Sequence, residues 1–226
     1  MLKGIAVSGG FAVGKILKLA ERKSKYSLSF YAGEASEKQR FERACHAFSE
    51  HTQHIEGSIR RIVGEQEAAI FKGHRLMADD PEMQAQVLRR IRLGLNAETA
   101  MESTCDAFIE AFSAAGQELT RQRAADIRDV KQALLEILCQ TRPHNPEIPA
   151  GSVIAARELT PSAVRFLHRR TTLAVLCEHG GRASHTAILL RAMGIPAVFS
   201  VKGLLHTLEN GQRVIVDANK GEIIPV

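Results

Sequence analysis

The segment Thr171–Val198, "TTLAVLCEHGGRASHTAILLRAMGIPAV", decides the fold. It opens with an apolar run, Leu173–Cys177, that is typical of a buried strand. A pair of glycines then permits a tight turn, and Ser184 is a good N-cap for a helix over Ser184–Met193. The helix ends at Gly194, and a second strand follows it. This strand–helix–strand order predicts an α/β layer.

The same alternation extends over the carboxy-terminal third of the chain, where Pro161–Leu167 predicts another short helix. The first twenty residues also read as strands, but they are too few to fold alone. We therefore expect them to join the carboxy-terminal α/β part. The other predicted strands are Gly4–Ser8, Lys15–Leu19, Ser152–Ala156, Ala197–Ser200, Arg213–Asp217 and Glu222–Pro225.

Helices are predicted throughout residues 33–141, because apolar residues recur there at three- and four-residue spacing. Short connections favour antiparallel packing, and hence an all-α four-helix subdomain inserted into the α/β part. The four segments are about Glu34–Val63, Glu65–Leu93 with a break at "ADDPE", a third from the N-cap Asn96 to about Ala115, and about Thr120–Gln140. The predicted organisation is an α/β domain of residues 1–20 plus 146–226, a helical subdomain of residues 33–141, and linkers at 21–32 and 142–151.

Charge is distributed unevenly along the chain, which has a formal net charge of +5. Residues 33–141 contain 14 Lys+Arg and 18 Asp+Glu, so the remainder contains 16 and 7. A basic part suits nucleic acid or an anionic substrate. We expect no nucleic-acid partner, because aromatic residues are few and no long basic run is present.

We expect a cytoplasmic protein without a membrane partner. No apolar run reaches the ~18–20 residues of a membrane helix. The four cysteines form no CxxC pair, which argues against a disulfide framework or a cysteine zinc site.

"GGFAVGK" near the amino terminus contains most of a phosphate-binding P-loop. The motif requires Ser or Thr after the lysine and the start of a helix. Ile16 follows Lys15 instead, and "KILKL" alternates like a strand. We therefore expect a glycine-rich hairpin here.

His185 falls at the first position of the predicted helix. A helix N-terminus has unpaired N–H groups and a partial positive charge that stabilise an anion. A phosphorylated histidine, which gains about two negative charges, benefits from that position. Arg182 is placed to pair with phosphoryl oxygens, and the Thr160 hydroxyl can hold the proton on the far ring nitrogen.

Other interpretations of His185 remain open at this stage. A histidine at a helix start is often only a tolerated surface residue. Cys177, His179 and His185 are an alternative metal site, although the glycine turn directs them apart and no fourth ligand is evident.

Several motifs together resemble the phosphoenolpyruvate-utilising enzymes, and in particular the Enzyme I family of the bacterial sugar phosphotransferase system. The signature is "GGRASHTAILLRAMGIPAV", preceded by "LTPS" at Leu159–Ser162. The helical motifs are "GEQEAAIFKGHRLMADDPE" at Gly64–Glu82 and "RAADIRDV" at Arg123–Val130, and the opening "GIAVSGGFAVGK" is also similar.

The resemblance implies an α/β phosphohistidine (swivelling) domain with a helical insertion. It implies that His185 carries the phosphoryl group on Nε2 and that Thr160 hydrogen-bonds the other ring nitrogen. Arg182 and Ser184, beside His185 at the helix start, complete the expected catalytic site, and we expect no metal there. The implied reaction is reversible phosphoryl transfer to the carrier protein HPr or an HPr-like domain. The implied partner surface comprises Glu65, Glu67, His74, Leu76, Met77, Asp79, Glu82 and Met83.

The chain departs from the family pattern in three respects. Lys72 and Arg75 interrupt a surface that is usually acidic, and Leu190 replaces the usual alanine of the signature. The family's carboxy-terminal barrel, which binds phosphoenolpyruvate and magnesium, is absent. We therefore expect no cofactor in this chain and no self-phosphorylation from phosphoenolpyruvate.

Some alternative hypotheses keep the phosphohistidine chemistry in another kind of protein, and one replaces it with a non-catalytic role. The chain can be the phosphohistidine module of a fused multiphosphoryl-transfer protein or of a dihydroxyacetone-kinase phosphoryl donor. A swivelling domain of a dikinase is disfavoured by the helical insertion with "IFKGH". A non-catalytic docking or regulatory module is the alternative of another class.

Overall fold

The computed structural model describes residues 1–19, 30–140 and 147–226, which form two compact units. The first unit contains residues 1–19, 58–68 and 147–226, and the second contains residues 30–57 and 69–140. No helix among the described residues is long and apolar enough to cross a membrane. The predicted linkers at 21–32 and 142–151 fall largely outside the described residues.

The described strands all belong to one sheet in the first unit. They are β1 (Leu2–Lys3), β2 (Ile5–Ser8), β3 (Phe11–Lys18), β4 (Ser152–Ala156), β5 (Thr172–Cys177), β6 (Ala197–Phe199), β7 (Arg213–Asp217) and β8 (Glu222–Pro225). Their order in the sheet is β1-β8-β7-β3-β4-β5-β6-β2. The central strands β3, β4, β5 and β6 run parallel, and the remaining neighbours are antiparallel.

The predicted glycine-rich hairpin at the amino terminus is wrong. β2 pairs with β6, whereas β3 lies between β7 and β4. Alternation of side chains identifies a strand but carries no information about its partner. Only Gly4 separates β1 from β2, so these residues connect the two edges of the sheet. A Cβ on Gly4 would lie 2.5 Å from the carbonyl oxygen of Phe199, which leaves no room for a larger residue.

The described helices belong to both units, and residues 58–68 of the long helical stretch fall in the first unit. They are α1 (Glu34–Val63), α2 (Glu65–Ala78), α3 (Pro81–Arg92), α4 (Ala97–Ala114), α5 (Glu118–Leu138), α6 (Pro161–Val164), α7 (His185–Ala192) and α8 (Leu204–Thr207). The second predicted helical segment consists of two helices, α2 and α3. Asp80 separates them by accepting a hydrogen bond of 2.9 Å from the Met83 N–H, with Pro81 at the first helical position.

Each unit has its own apolar core. In the first unit, buried aliphatic side chains from the sheet pack with residues of α8, including Val153, Leu176, Leu204 and Val216. In the second unit, Phe41 and Phe48 of α1 pack with residues of α3, α4 and α5. Burial of the periodic apolar face is therefore the main stabilising contribution in both units.

A buried carboxylate organises the start of two helices in the second unit. Glu37 accepts hydrogen bonds from the N–H groups of Ala32 at 3.1 Å and Ala97 at 2.9 Å, and it pairs with Arg40 at 2.7 Å. Arg40 also pairs with Glu98. Burial of the Glu37 carboxyl opposes its ionisation, but the N–H donors of Ala97 and Ala32 and the charge of Arg40 together lower its pKa below the usual 4.5.

We predict that Glu37→Gln lowers the free energy of unfolding by about 3 kcal/mol at pH 7, because it leaves Arg40 and Glu98 in an incomplete buried network. A lowered folded-state pKa means that the contribution is present above the unfolded-state pKa and is lost as pH falls through the folded-state value. Urea unfolding at pH 7 and in acid should therefore show the variant and the wild type converging in acid.

The matched control is Glu42→Gln, since Glu42 lies on the same helix but is exposed, with only a 3.8 Å pair to Lys38. Its free energy of unfolding should stay within about 0.5 kcal/mol of wild type. Equal effects of the two substitutions at pH 7 would contradict the role assigned to Glu37.

Candidate functional site

The carboxyl ends of the adjacent parallel strands β4 and β5 bring two predicted motifs together. Backbone hydrogen bonds tie the loops that follow these strands: the Glu178 N–H donates to the Ala156 carbonyl at 3.1 Å, and the His179 N–H donates to the Arg157 carbonyl at 2.8 Å. Ligand sites in α/β sheets form at the carboxyl ends of strands, because the loops there lie side by side. This edge of the first unit is therefore the candidate functional site.

His185 is the first residue of α7 and is half-buried. Ser184 caps the helix, as predicted: its Oγ accepts a hydrogen bond of 3.2 Å from the Ala187 N–H. The same Oγ donates to the Gly181 carbonyl at 3.0 Å. The imidazole of His185 therefore belongs to the end of the helix where amide N–H groups point outward.

A buried hydrogen bond connects the start of α7 with the "LTPS" motif. Thr186 Oγ1 donates to the Leu159 carbonyl at 2.7 Å, across 27 positions of the chain. His185 and Thr160 are the chain neighbours of these two residues. The bond therefore fixes the loop after β4 beside the N-terminus of α7.

Thr160 occupies the N-cap position of α6, although its side chain makes no capping bond. Its hydroxyl lies 3.2 Å from Ser162 Oγ. The contact between the Thr160 hydroxyl and the His185 imidazole stays a prediction. The adjacent hydroxyl of Ser162 competes for Thr160, and sequence spacing does not reveal that competition.

Arg182 is exposed, but its Nε is engaged by the backbone of β2. It donates to the Ala6 carbonyl at 2.7 Å. Arg191, to which the sequence assigned no role, donates from Nη1 to the Arg182 carbonyl at 2.8 Å and to the Val7 carbonyl at 3.3 Å. The two guanidinium groups therefore bind the glycine turn to β2.

The alternative metal site finds no support in the geometry. Cys177 is fully buried in β5, and burial raises the pKa of its thiol, which disfavours the thiolate that a metal requires. Within the described residues, no group of three His, Cys, Asp or Glu side chains is arranged to hold a metal ion.

Most residues of the predicted partner surface are accessible on α2 and at the start of α3. Leu76 is 63% exposed, although it is apolar. Glu65, Asp79 and Glu82 are exposed, and Glu67 and Met77 are half-buried. Arg75 pairs with Glu56 at 2.6 Å, so its charge is compensated within the second unit. Lys72 is exposed and remains the one basic residue of α2 that interrupts the acidic character of this surface.

The prediction that His74 and Met83 belong to that surface is wrong for their side chains, which are 2% and 5% exposed. The His74 ring nitrogens Nε2 and Nδ1 each lie 3.7 Å from a carboxylate oxygen, of Asp126 and Asp129 respectively. Both aspartates are buried on α5. A helix carries an inner and an outer face, and proximity in sequence to Leu76 does not decide which face His74 occupies.

An α/β unit with a histidine at a helix N-terminus, joined in one chain to an all-helical unit, is a combination found in a known class of protein. The chain belongs to the family of PEP-utilising enzymes: the N-terminal family profile matches residues 3–123, and the mobile-domain profile matches residues 148–221. The predicted family resemblance and fold class are thereby confirmed.

Individual relatives agree with this assignment. The chain is 36% identical over 225 residues to the phosphoenolpyruvate-protein phosphotransferase of Listeria innocua and 34% identical to that of Bacillus subtilis, in each case over 99% of its own length. It spans 39% and 40% of those proteins, respectively.

Solved structures show the same fold. An NMR solution structure of Enzyme I (nEIt) superimposes with a TM-score of 0.73 at 29% identity, over 100% of this chain and 92% of the other. The N-terminal domain of Enzyme 1 – Nitrogen superimposes with a TM-score of 0.62 at 21% identity, over 100% and 93%.

We predict that His74→Ala lowers the free energy of unfolding by about 3 kcal/mol, because it leaves the Asp126 and Asp129 carboxylates buried without the imidazole between them. Chemical denaturation measures the effect. The matched control is His46→Ala on α1. The His46 side chain is 77% exposed, and its contact with Glu50 is a long one of 3.7 Å at the surface. Unchanged stability of the His74 variant would contradict a structural role.

Proposed function

We propose that this chain is a phosphoryl-transfer module in which His185 accepts a phosphoryl group and passes it on, reversibly. The proposed partner is HPr or an HPr-like domain of the phosphoenolpyruvate:sugar phosphotransferase system, in the cytoplasm. Membership of the PEP-utilising enzymes and similarity to phosphoenolpyruvate-protein phosphotransferases support the proposal.

The observation that carries the proposal is the location of His185 at the capped N-terminus of α7. His185 is a half-buried residue, so an incoming group can reach it, and the helix presents its first amide N–H groups at the same end. A phosphoryl group brings about two negative charges, and a helix N-terminus stabilises such charge. A histidine that never carried an anion would gain nothing from this position.

The proposed reaction exchanges one phosphorus–nitrogen bond for another. The Nε2 lone pair of neutral His185 attacks phosphorus, while the bond from phosphorus to the partner's histidine breaks and its electron pair returns to that ring. Each imidazole keeps its proton on its other nitrogen, so the step requires no net proton transfer. Positioning and electrostatic stabilisation therefore supply the catalysis.

Thr160 and Arg182 are proposed to assist once the phosphoryl group arrives. The Thr186–Leu159 hydrogen bond keeps Thr160 beside α7, from where its hydroxyl can exchange Ser162 for the His185 Nδ1–H. Arg182 uses only its Nε in the hydrogen bond to the Ala6 carbonyl. A guanidinium has five N–H donors, so its terminal nitrogens are proposed to contact phosphoryl oxygens.

We propose a division of labour between the parts of the chain. Residues 1–20 plus 146–226 carry the phosphoryl group, and residues 33–141 bind the partner. Exposed Leu76, with Asp79 and Glu82 beside it in sequence, supports docking of a partner that combines an apolar contact with basic groups. Neutralisation of Arg75 by Glu56 also favours a basic partner.

We predict that His185→Ala abolishes labelling of the chain by HPr carrying a ³²P-phosphoryl group, because no other group is proposed to accept it. The measurement is acid-labile label on the 226-residue chain after separation from HPr. The matched control is His179→Ala, which removes an exposed imidazole from the preceding loop and should leave the label in place. Label retained in the His185 variant would contradict the proposal.

We predict that Leu76→Asp raises the KM for phosphorylated HPr about tenfold with kcat unchanged, because the substitution removes binding energy and not chemistry. Initial rates of label transfer at increasing HPr concentration separate the two constants. The matched control is Leu93→Asp, since Leu93 at the end of α3 is 75% exposed. Equal effects of the two substitutions, or a loss of kcat alone, would argue against docking on Leu76.

A further inference from the structure

The turn before His185 has three successive carbonyl groups that are all occupied by hydrogen bonds. Ser200 Oγ donates to the Gly180 carbonyl at 2.8 Å. The Gly181 carbonyl accepts from Ser184 through both Oγ at 3.0 Å and the backbone N–H at 3.2 Å. Arg191 Nη1 donates to the Arg182 carbonyl at 2.8 Å.

The amide N–H groups of the same turn, unlike its carbonyl groups, are not occupied by hydrogen bonds to described residues. Over the part of the chain that the structure describes, the N–H groups of Gly181, Arg182 and Ala183 donate no hydrogen bond. Arg182 and Ala183 are exposed. Successive outward amide groups at a turn form an anion-binding concavity, provided that the carbonyl groups are directed elsewhere. The hydrogen bonds accepted by the Gly180, Gly181 and Arg182 carbonyls meet that condition.

Ser200 donates its hydrogen bond to the Gly180 carbonyl from an unfavourable backbone conformation. Its φ is +57°, and among the described residues only one other non-glycine residue, Gln140, has a positive φ, at +50°. Glycine would adopt this conformation without strain. A serine here sacrifices stability, and the one hydrogen bond that its hydroxyl donates is to the Gly180 carbonyl.

The neighbourhood of Gly180 explains why a single hydrogen bond can set the turn. Gly180 has φ +112°, and a Cβ at this position would lie 2.8 Å from Cδ2 of Phe199, the residue before Ser200. Gly180 is therefore held between the Phe199 ring and the Ser200 hydroxyl. Loss of the hydroxyl would release the carbonyl while leaving the ring contact intact.

We propose that Ser200 is a positioning residue for phosphoryl transfer at His185: by fixing the Gly180 carbonyl, it holds the Gly180–Gly181 peptide plane and keeps the Gly181 amide group directed at the incoming phosphoryl oxygens. The following amide groups, of Arg182 and Ala183, belong to peptide planes whose carbonyls Ser184 and Arg191 hold. The inference rests on the proposed function of His185. It assigns Ser200 no contact with the phosphoryl group itself. Preorganised amide donors stabilise the charge of the transferring group because they need not reorient during the reaction.

Two substitutions separate the hydroxyl from the backbone strain. Ser200→Ala removes the hydroxyl and keeps the strain, whereas Ser200→Gly removes both. Label transfer from ³²P-labelled HPr to the 226-residue chain gives kcat and KM, and thermal unfolding gives the midpoint. Gln140→Gly is the matched control, since it relieves the same kind of strain at the end of α5.

We expect both Ser200 variants to lose about tenfold in kcat with an unchanged KM for HPr, in line with the effect of losing an orienting partner. Ser200→Gly should nevertheless unfold at or above the wild-type temperature. Gln140→Gly should raise the unfolding temperature and leave kcat unchanged. A stable but slow glycine variant is a result that a purely structural role does not produce.

Other outcomes overturn the inference. Wild-type kcat in Ser200→Gly would show that the hydroxyl does not position the turn, and a raised KM with normal kcat would place Ser200 in partner binding instead. If the wild-type chain takes up label and only the Ser200 result is negative, this inference alone fails. If the wild-type chain takes up none, the proposed function fails and this inference fails with it.

Discussion

The 2.7 Å hydrogen bond from Thr186 Oγ1 to the Leu159 carbonyl is the contact on which the candidate site depends. It joins the loop after β4 to the first turn of α7, and both partners lie at the carboxyl end of a parallel sheet. A buried bond of this kind is costly to break, because the released carbonyl would have no water to replace its donor. His185 and Thr160 are the chain neighbours of the two bonded residues, so the bond holds the two motifs side by side.

In the turn before His185, the backbone acceptors are hydrogen-bonded to described residues and the backbone donors are not. The carbonyl oxygens of Gly180, Gly181 and Arg182 accept hydrogen bonds from Ser200, Ser184 and Arg191, whereas the amide groups of Gly181, Arg182 and Ala183 donate to no other described residue. A helix N-terminus alone stabilises an anion modestly, and adjoining turn amides add to it without a charged side chain. This arrangement suits the reversible phosphoryl transfer that we propose for His185.

Sequence reasoning succeeded where the signal is local. The 3.6-residue period and the caps Ser184, Asn96 and Asp80 predicted the helices closely, because each signal acts within one or two turns. It failed where partners are distant in sequence. The hairpin of β2 and β3 and the surface position of His74 both depended on a neighbour that only the tertiary fold determines. Arg191 and Ser200 were missed for the same reason, since both act on backbone carbonyls.

The most direct test of the central claim is the ¹H–¹⁵N correlation spectrum of the 226-residue chain before and after it takes a phosphoryl group from phosphorylated HPr, recorded once HPr has been removed. If the phosphoryl group lies on His185 over the turn and the helix N-terminus, the amide protons of Gly181, Arg182, Ala183 and Thr186 should shift downfield together, while those of the helical unit stay in place. A chain that carries acid-labile phosphate while these four amide signals remain unmoved would contradict the account.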